Sequence, residues 1–187
     1  MNAKVFQLIG GNPGAYTTDI IEAINWAIDP DLNPATDDGA DVINMSLGGV
    51  GTDPAMDAAV KGAVNAGVTV VVSAGNCGNG CPSSDCGSFR GVTFPGNIAE
   101  SLTVGAVDDS NVVACFSSGE NVSGVGIKPD VSAPGVNIVS SYPNNRYVLM
   151  SGTSMSAPHV AGVAALLRDA NPLITPVQVK KLLELNA

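Results

Sequence analysis

Apolar residues recur along the chain in short blocks that alternate between strand-like runs and helix-like spacing. Residues 3–9 form an apolar run that ends in a Gly-Gly-Asn-Pro-Gly turn signal, and this predicts a strand. Isoleucines recur at helical spacing between residues 17 and 28, which predicts a helix. Two further apolar runs, 41–45 and 68–72, predict strands. The second is almost wholly β-branched, as expected for a central parallel strand that is covered on both faces.

The second half of the chain continues this alternation. Strands are predicted over 102–107, 112–116, 131–140 and 147–150, and helices over 54–66, 153–170 and 176–185. The whole pattern predicts an α/β fold with a mainly parallel sheet and helices on both faces, in one domain without repeats or linkers. The helix over 153–170 is apolar nearly all round, which predicts that it is buried on every side.

Composition narrows the function classes. The chain has 187 residues, of which 45% are hydrophobic and 13% charged, so a sizeable core is available and disorder is not expected. The net charge of -9 opposes binding to the phosphates of nucleic acids. No apolar run is long enough to span a bilayer, and the first residues show no signal-peptide pattern.

Four cysteines are present: Cys77, Cys81, Cys86 and Cys115. Their spacing does not follow the paired pattern of common zinc sites. Disulfides, free thiols and a metal site all stay open from spacing alone. If all four are oxidised within one chain, one bridge lies inside the 77–86 loop and the other joins that loop to Cys115, because only Cys115 lies outside the loop.

Residues 151–167 are the most informative segment of the chain. Ser154 lies at the predicted start of a helix, where backbone N–H groups have no helical partner and the helix dipole is positive. Negative charge that develops on a reacting oxygen would be stabilised there. The alternative is an ordinary Ser/Thr cap before a core helix.

The full string favours the chemical interpretation. Residues 152–162, Gly-Thr-Ser-Met-Ser-Ala-Pro-His-Val-Ala-Gly, closely resemble the serine signature of the subtilisin-like proteases. Residues 70–76, which end in Ser-Ala-Gly-Asn, are similar to the family's oxyanion strand, and 41–49 resemble the strand that borders the substrate. Further similar segments lie at 24–28, 103–107, 116–118 and 128–135, so the resemblance covers nearly the whole chain.

The resemblance implies a subtilisin-like fold and a serine endopeptidase that works through an acyl-enzyme. Ser154 would be the nucleophile, and the Asn76 side chain would hold the oxyanion together with the Ser154 N–H. The walls of the main specificity pocket would be Ser46, Leu47 and Gly48 facing Ser73, Ala74 and Gly75. None of these wall residues is charged, and Gly48, Ala74 and Gly75 are small, so we expect an apolar or uncharged residue before the cleaved bond. Thr93 would narrow the base of this pocket.

The chain also departs from the family pattern. His159 is the only histidine, and five residues after Ser154 it would point about 140° away from it on a helix of about 3.6 residues per turn. The resemblance makes it a packed structural residue. The family's catalytic histidine and aspartate motifs are absent: residues 37–39 lie in a polar loop, and Asp130 belongs to a structural segment.

In the family both missing motifs precede the strand at residues 3–9. The expectation is therefore a partial subtilisin-like peptidase domain over 1–187, with N-terminal strands missing and no activity on its own. Its partners would be a polypeptide substrate and the missing N-terminal part of the same domain, with no nucleic acid and no membrane. A sheet edge left open would permit self-association.

The resemblance also implies secretion and, with it, disulfides. No cofactor is needed for the chemistry, and calcium is implied only as a structural ion, without a clear carboxylate cluster or any predicted metal-site residue. Two other functions were considered. A non-catalytic scaffold that keeps the protease shape is the main alternative. A dinucleotide site is disfavoured because Gly49-Val50-Gly51 is followed by Pro54 where a third glycine is needed.

Overall fold

The computed structural model describes residues 16–33, 35–36 and 38–187. The helices are α1 (Thr17–Ile28), α2 (Pro54–Asn65), α3 (Thr153–Ala170) and α4 (Pro176–Asn186), with one 3-10 turn at Ser84–Cys86. The strands are β1 (Val42–Met45), β2 (Thr69–Ser73), β3 (Leu102–Val107), β4 (Glu120–Val122), β5 (Gly126–Lys128), β6 (Val131–Pro134), β7 (Ile138–Tyr142) and β8 (Arg146–Met150). The strand predicted over 3–9 lies outside the described residues.

A parallel sheet in the order β1-β2-β3-β6 forms the centre of the molecule. All five residues of β2 are buried, as its β-branched sequence predicts. Within the described part of the chain, β1 pairs only with β2, so its other edge has no strand beside it. Two antiparallel hairpins, β4–β5 and β7–β8, lie outside this sheet.

Helices cover both faces of the sheet, as predicted. On one face, α1 and α2 place Ile24 and Val60 against Val70 and Val72. On the other face, Ala157 and Val160 of α3 and Leu183 of α4 pack with Val71 and Val104. Alternation along β2 sends successive side chains to opposite cores, which explains why the whole strand is buried. No helix among the described residues is long and apolar enough to span a membrane.

Local signals fix the ends of two helices. Asp53 caps α2 by accepting hydrogen bonds from Ala55 N and Met56 N at 2.9 and 3.0 Å. Thr175 and Gln178 form a capping box at the start of α4. A proline occupies the first turn of each of these helices, where its missing N–H costs no helical hydrogen bond.

Two strand predictions in the second half were wrong. Residues 112–116 form a turn with a single bridge from Val113 to Val107, because the Asp108 carboxylate accepts hydrogen bonds from Ser110 N and Val112 N. Residues 131–140 do not form one strand: β6 ends at Pro134 and β7 begins at Ile138. The β4–β5 hairpin carries too short an apolar pattern to be predicted.

Helix α3 is buried on one side only, so the prediction of burial on every side was wrong. Its packed face comprises Thr153, Ser156, Ala157, Val160 and Ala164. We call the exposed side the outer face, and it comprises Pro158, His159, Gly162, Val163 and Leu166. An apolar sequence shows that a helix can be buried on every side. Whether another element packs against each side depends on the rest of the structure.

A buried charge network joins α4 to the sheet. Lys128 is 1% exposed, and its Nζ donates to Ser101 O at 2.8 Å, Thr103 Oγ1 at 3.0 Å and Asp130 Oδ2 at 2.8 Å. Lys180 of α4 contacts the other oxygen, Asp130 Oδ1, at 3.0 Å. Burial lowers the pKa of Lys128 to about 8, although the nearby Asp130 carboxylate favours the charged form.

Candidate active site

Ser154 lies in the first turn of α3, beside the end of β1. Its Oγ donates to Ser46 O at 3.2 Å, and Ser46 Oγ donates to Ser154 O at 2.8 Å. We call these two contacts the reciprocal serine pair. The Ser154 backbone N–H is in the helical turn whose donors have no intrahelical acceptor. The nucleophile predicted from the sequence is therefore anchored at the positive end of a helix.

Asn76 follows β2 and faces the same helix start. Its Oδ1 accepts hydrogen bonds from Thr153 N at 2.9 Å and from Thr153 Oγ1 at 3.1 Å. Thr153 Oγ1 in turn accepts from Gly75 N at 3.0 Å. Because the amide oxygen accepts both hydrogen bonds from Thr153, these bonds fix the orientation of the Asn76 amide. The amide nitrogen, Nδ2, is left as a hydrogen-bond donor.

Gly152 leaves room for that donor. A Cβ at Gly152 would lie 3.4 Å from Asn76 Nδ2 and narrow the space beside the amide. The amide of Asn76 and the N–H groups of the first turn of α3 thus border the same small region as Ser154. Such a pair of donors can stabilise negative charge on an oxygen attached to a carbon that Ser154 attacks.

Two disulfides hold the loop after Asn76. Cys77 bonds with Cys86, and Cys81 bonds with Cys115. This confirms the pairing expected for a fully oxidised chain, with one bridge inside the loop and one to Cys115. The loop is tied further by Ser83 N, which donates to Asn76 O at 2.8 Å. The chain on either side of the Asn76 amide is therefore fixed by covalent and hydrogen bonds.

A groove opens beside Ser154. Fourteen residues from both strand ends, the disulfide loop and the start of α3 line it: Leu47, Gly48, Gly49, Val50, Ser73, Gly75, Asn76, Cys77, Ser83, Asp85, Cys86, Thr93, Thr153 and Ser154. Of the six predicted wall residues, Leu47, Gly48, Ser73 and Gly75 are in this lining. Ser46 and Ala74 are not, since Ser46 is engaged in the reciprocal serine pair and Ala74 is fully buried.

Thr93 is a buried part of the groove lining. It is only 6% exposed, and its Oγ1 donates to Ala74 O at 3.3 Å. A Cβ at either Gly48 or Gly75 would collide with the Thr93 side chain, so both glycines are needed for Thr93 to lie between them. Gly75 also has φ +100°, a conformation that favours glycine.

The lining contains one acidic side chain, that of Asp85, which sequence reasoning missed. Asp85 lies in the 3-10 turn Ser84–Cys86 and is exposed. It follows Asn76 by nine residues and belongs to no motif that we identified. The cysteine spacing was the only available signal, because the bridge from Cys77 to Cys86 brings this turn back to the groove.

No general base for Ser154 is present among the described residues. The ring of His159 contacts its own helix, with Nδ1 2.8 Å from Met155 O, and lies on the outer face. A non-catalytic position for His159 was predicted, whereas packing of this residue was expected and is not found. Asp130 belongs to the buried network with Lys128 and Lys180.

Three carboxylates meet in the loop after α1, where the sequence indicated no cluster. Oxygen atoms of Asp29, Asp31 and Asp38 lie within 4.8 Å of one another. Asn33 N donates to Asp29 Oδ1 and to Asp31 Oδ1, both at 2.9 Å. The donors are all oxygen, the type that Ca²⁺ prefers, and Asp31 and Asp38 are exposed.

Comparison with known proteins agrees with this geometry. The family model described as the Subtilase family, peptidase S8, matches residues 1–187. The chain belongs to the subtilase family. A solved structure titled as a cold adapted subtilisin-like serine proteinase superposes on this subtilase with a TM-score of 0.74 at 33% identity, and covers 93% of this chain and 56% of the other. The predicted subtilisin-like α/β fold is thereby confirmed.

The curated relatives include a subtilisin and an alkaline protease. The subtilase is 40% identical over 174 residues to subtilisin DY of Bacillus licheniformis, which covers 93% of this chain and 56% of the relative. It is 35% identical to the thermostable alkaline protease of Halalkalibacterium halodurans, with 94% of this chain and 42% of the relative covered. The chain thus spans about half the length of the relatives it matches.

Proposed function

We propose that this subtilase chain supplies the nucleophile and the oxyanion hole of a serine endopeptidase that cleaves polypeptides. The observation that carries the proposal is the contact of Asn76 Oδ1 with Thr153, which directs the amide donor to the region beside Ser154. An ordinary helix cap would not require a hydrogen-bond donor such as the Asn76 amide beside Ser154. The relatives named as subtilisins and proteases support the same reaction class.

The reaction proceeds by acyl transfer. Ser154 Oγ attacks the carbonyl carbon of the substrate while a general base takes its proton. The carbonyl oxygen becomes an oxyanion, to which Asn76 Nδ2 and Ser154 N–H donate. The intermediate collapses to an acyl-enzyme as the amine leaves with the proton, and water then hydrolyses the ester.

The base and the group that orients it come from a segment with the histidine and aspartate motifs of the family. We propose that this segment docks on the outer face of α3 and beside the open edge of β1. Val163 and Leu166 are 45% and 69% exposed there, and the described residues place no strand along that edge. A docked segment would cover both side chains. Their burial would stabilise the complex, because each Å² of apolar surface removed from water contributes about 25 cal/mol.

The 187-residue chain alone is proposed to be inactive. A serine hydroxyl needs a base to become an effective nucleophile near neutral pH. Here the Ser154 hydroxyl donates to the Ser46 carbonyl, which cannot accept the proton in a reaction. The oxyanion hole alone would leave a rate advantage over water of about 10³–10⁴, below what peptidase assays detect.

We propose an extracellular location and calcium as a structural ion. Two disulfides support an oxidising compartment. The carboxylates of Asp29, Asp31 and Asp38 are the described residues that would hold calcium, which would neutralise their charge and take no part in the reaction. Ca²⁺ should then raise the Tm of the chain, and Asp38→Asn should reduce that rise.

Reconstitution tests the function. A segment that carries the histidine and aspartate motifs of the subtilase family is added to the chain in trans or fused to it. We expect peptide cleavage and labelling by a fluorophosphonate probe, both abolished by Ser154→Ala and retained in Ser110→Ala, a matched change in an exposed turn. A folded complex without Ser154-dependent labelling would refute the protease and favour the non-catalytic scaffold.

A further inference from the structure

We propose that Asp85 selects a cationic side chain, arginine or lysine, in the substrate residue that precedes the cleaved bond. The inference rests on the proposed endopeptidase function and adds a substrate class to it. The expectation of an uncharged residue was based on a set of wall residues without Asp85. The lining of the groove includes this carboxylate, so that premise does not hold.

The position of Asp85 is fixed relative to the reacting atoms. The disulfide from Cys86 to Cys77 links its turn to the residue next to Asn76. Ser83 N donates to Asn76 O at 2.8 Å, and Ser83 Oγ accepts from Asp85 N at 3.3 Å. The carboxylate is thus carried by a turn that is held at both ends near the oxyanion donor.

The charge of Asp85 has no cationic partner among the ion pairs of the described residues. Arg90 lies in the same loop, but its guanidinium donates to Gly87 O at 3.0 Å and Phe89 O at 2.6 Å. Among the residues that the structure describes, the only side-chain hydrogen bond to the carboxylate comes from Ser83 Oγ, at 3.4 Å. The Asp85 carboxylate therefore stays available to a substrate cation.

The lining of the groove is compatible with the same class of side chain. Thr93 fills the space between Gly48 and Gly75, because a Cβ on either glycine would collide with it. Asp85 is exposed and belongs to the lining. A long side chain with an apolar stem and a charged end can lie along the groove and place its charge outside, as lysine and arginine commonly do.

The exposure of Asp85 to water limits the size of the expected preference for a cationic side chain. Ion pairs in contact with water are screened and contribute little, so we expect a preference of about two- to fivefold for a cationic side chain over a neutral one of equal length. The net charge of -9 adds a general attraction for cationic peptides. That attraction does not depend on Asp85, and a control variant of equal charge separates the two.

The test compares two acetylated peptide amides that differ only in their last residue, arginine or its neutral analogue citrulline. Their binding to the 187-residue chain is followed by amide chemical shifts of Gly75, Ser83 and Asp85. The variants are Asp85→Asn and Asp109→Asn, the second an exposed aspartate outside the groove lining with the same change of charge. Asparagine keeps the acceptor that faces Ser83 Oγ.

We expect arginine to bind about two- to fivefold more tightly than citrulline in the unchanged chain and in Asp109→Asn, and equally in Asp85→Asn. Added salt should shrink the ratio. The proposal is overturned if the unchanged chain binds both peptides equally, or if Asp85→Asn keeps the preference for arginine over citrulline. It is also overturned if neither peptide changes the amide chemical shifts of the groove residues. Ser154-dependent hydrolysis by the reconstituted enzyme without an arginine preference would overturn the role of Asp85 alone and leave the protease intact.

Discussion

The two sides of α3 have opposite environments in one helix. The packed face is closed against β2 and β3, and its first turn is hydrogen-bonded to Asn76 and Ser46. The outer face exposes Val163, Leu166 and the only histidine. The difference teaches that the first turn of α3 is fixed by hydrogen bonds to the ends of two strands, whereas no described element covers the outer face further along the helix.

The largest expected effect tests the packed side through Asn76. In the reconstituted enzyme, Asn76→Ala should lower kcat by about 10²–10³, because one oxyanion donor is lost, a cost of about 2.7–4 kcal/mol that is known from a subtilisin. Thr153→Val should lower kcat less, since Asn76 keeps its donor but loses one contact that orients it. Unchanged kcat in Asn76→Ala would place the oxyanion elsewhere.

The second prediction concerns Lys128, which lies in the buried network with Asp130 and with Lys180 of α4. Burial lowers the pKa of Lys128 from its ordinary value of 10.5 to about 8 in the folded chain, so the unfolded chain binds more protons between these two pH values. Stability should therefore rise with pH across this window, by up to about 1.4 kcal/mol per pH unit. Urea unfolding of the chain and of Lys128→Met measures this contribution as the difference between them. Lys61→Met, which removes an exposed lysine, should still show the rise of stability with pH.

The third prediction asks how tightly the packed face is closed. Ala164 is fully buried, and Ala164→Leu should lower the free energy of unfolding by about 1–3 kcal/mol through overpacking. Ala170→Leu introduces the same side chain at an exposed position of the same helix and should change it by less than about 0.5 kcal/mol. Equal effects in urea titrations would mean that the two sides do not differ in packing.

The smallest effect is expected at the outer face. Leu166→Ala should change the free energy of unfolding of the lone chain by no more than about 0.5 kcal/mol, because Leu166 is 69% exposed. The same variant should weaken association with the upstream segment, measured as the concentration that gives half-maximal activity. A variant that assembles as well as the unchanged chain would remove the outer face from the docking surface.

Much of this structure could be predicted from sequence because it depends on local pattern. The buried run that became β2, the helix after Pro54 and the serine string of α3 all carry their own signals. Once oxidation was assumed, cysteine counting predicted one bridge inside the 77–86 loop and one to Cys115, but it left open which loop cysteine bonds with Cys115. What could not be predicted depends on distant contacts: the exposure of Val163, the carboxylates around Asp31, and the place of Asp85 beside a groove built mainly by other segments.

The reciprocal serine pair has a kinetic consequence. Ser154 and Ser46 already hold the end of β1 against the start of α3. This part of the chain would therefore not need to refold when the proposed segment with the histidine and aspartate motifs docks. Release of the Ser154 hydroxyl from the Ser46 carbonyl requires only a side-chain rotation, which is faster than the rearrangement of a helix or a strand. Onset of activity would then follow encounter between two polypeptides, with a second-order dependence on their concentrations.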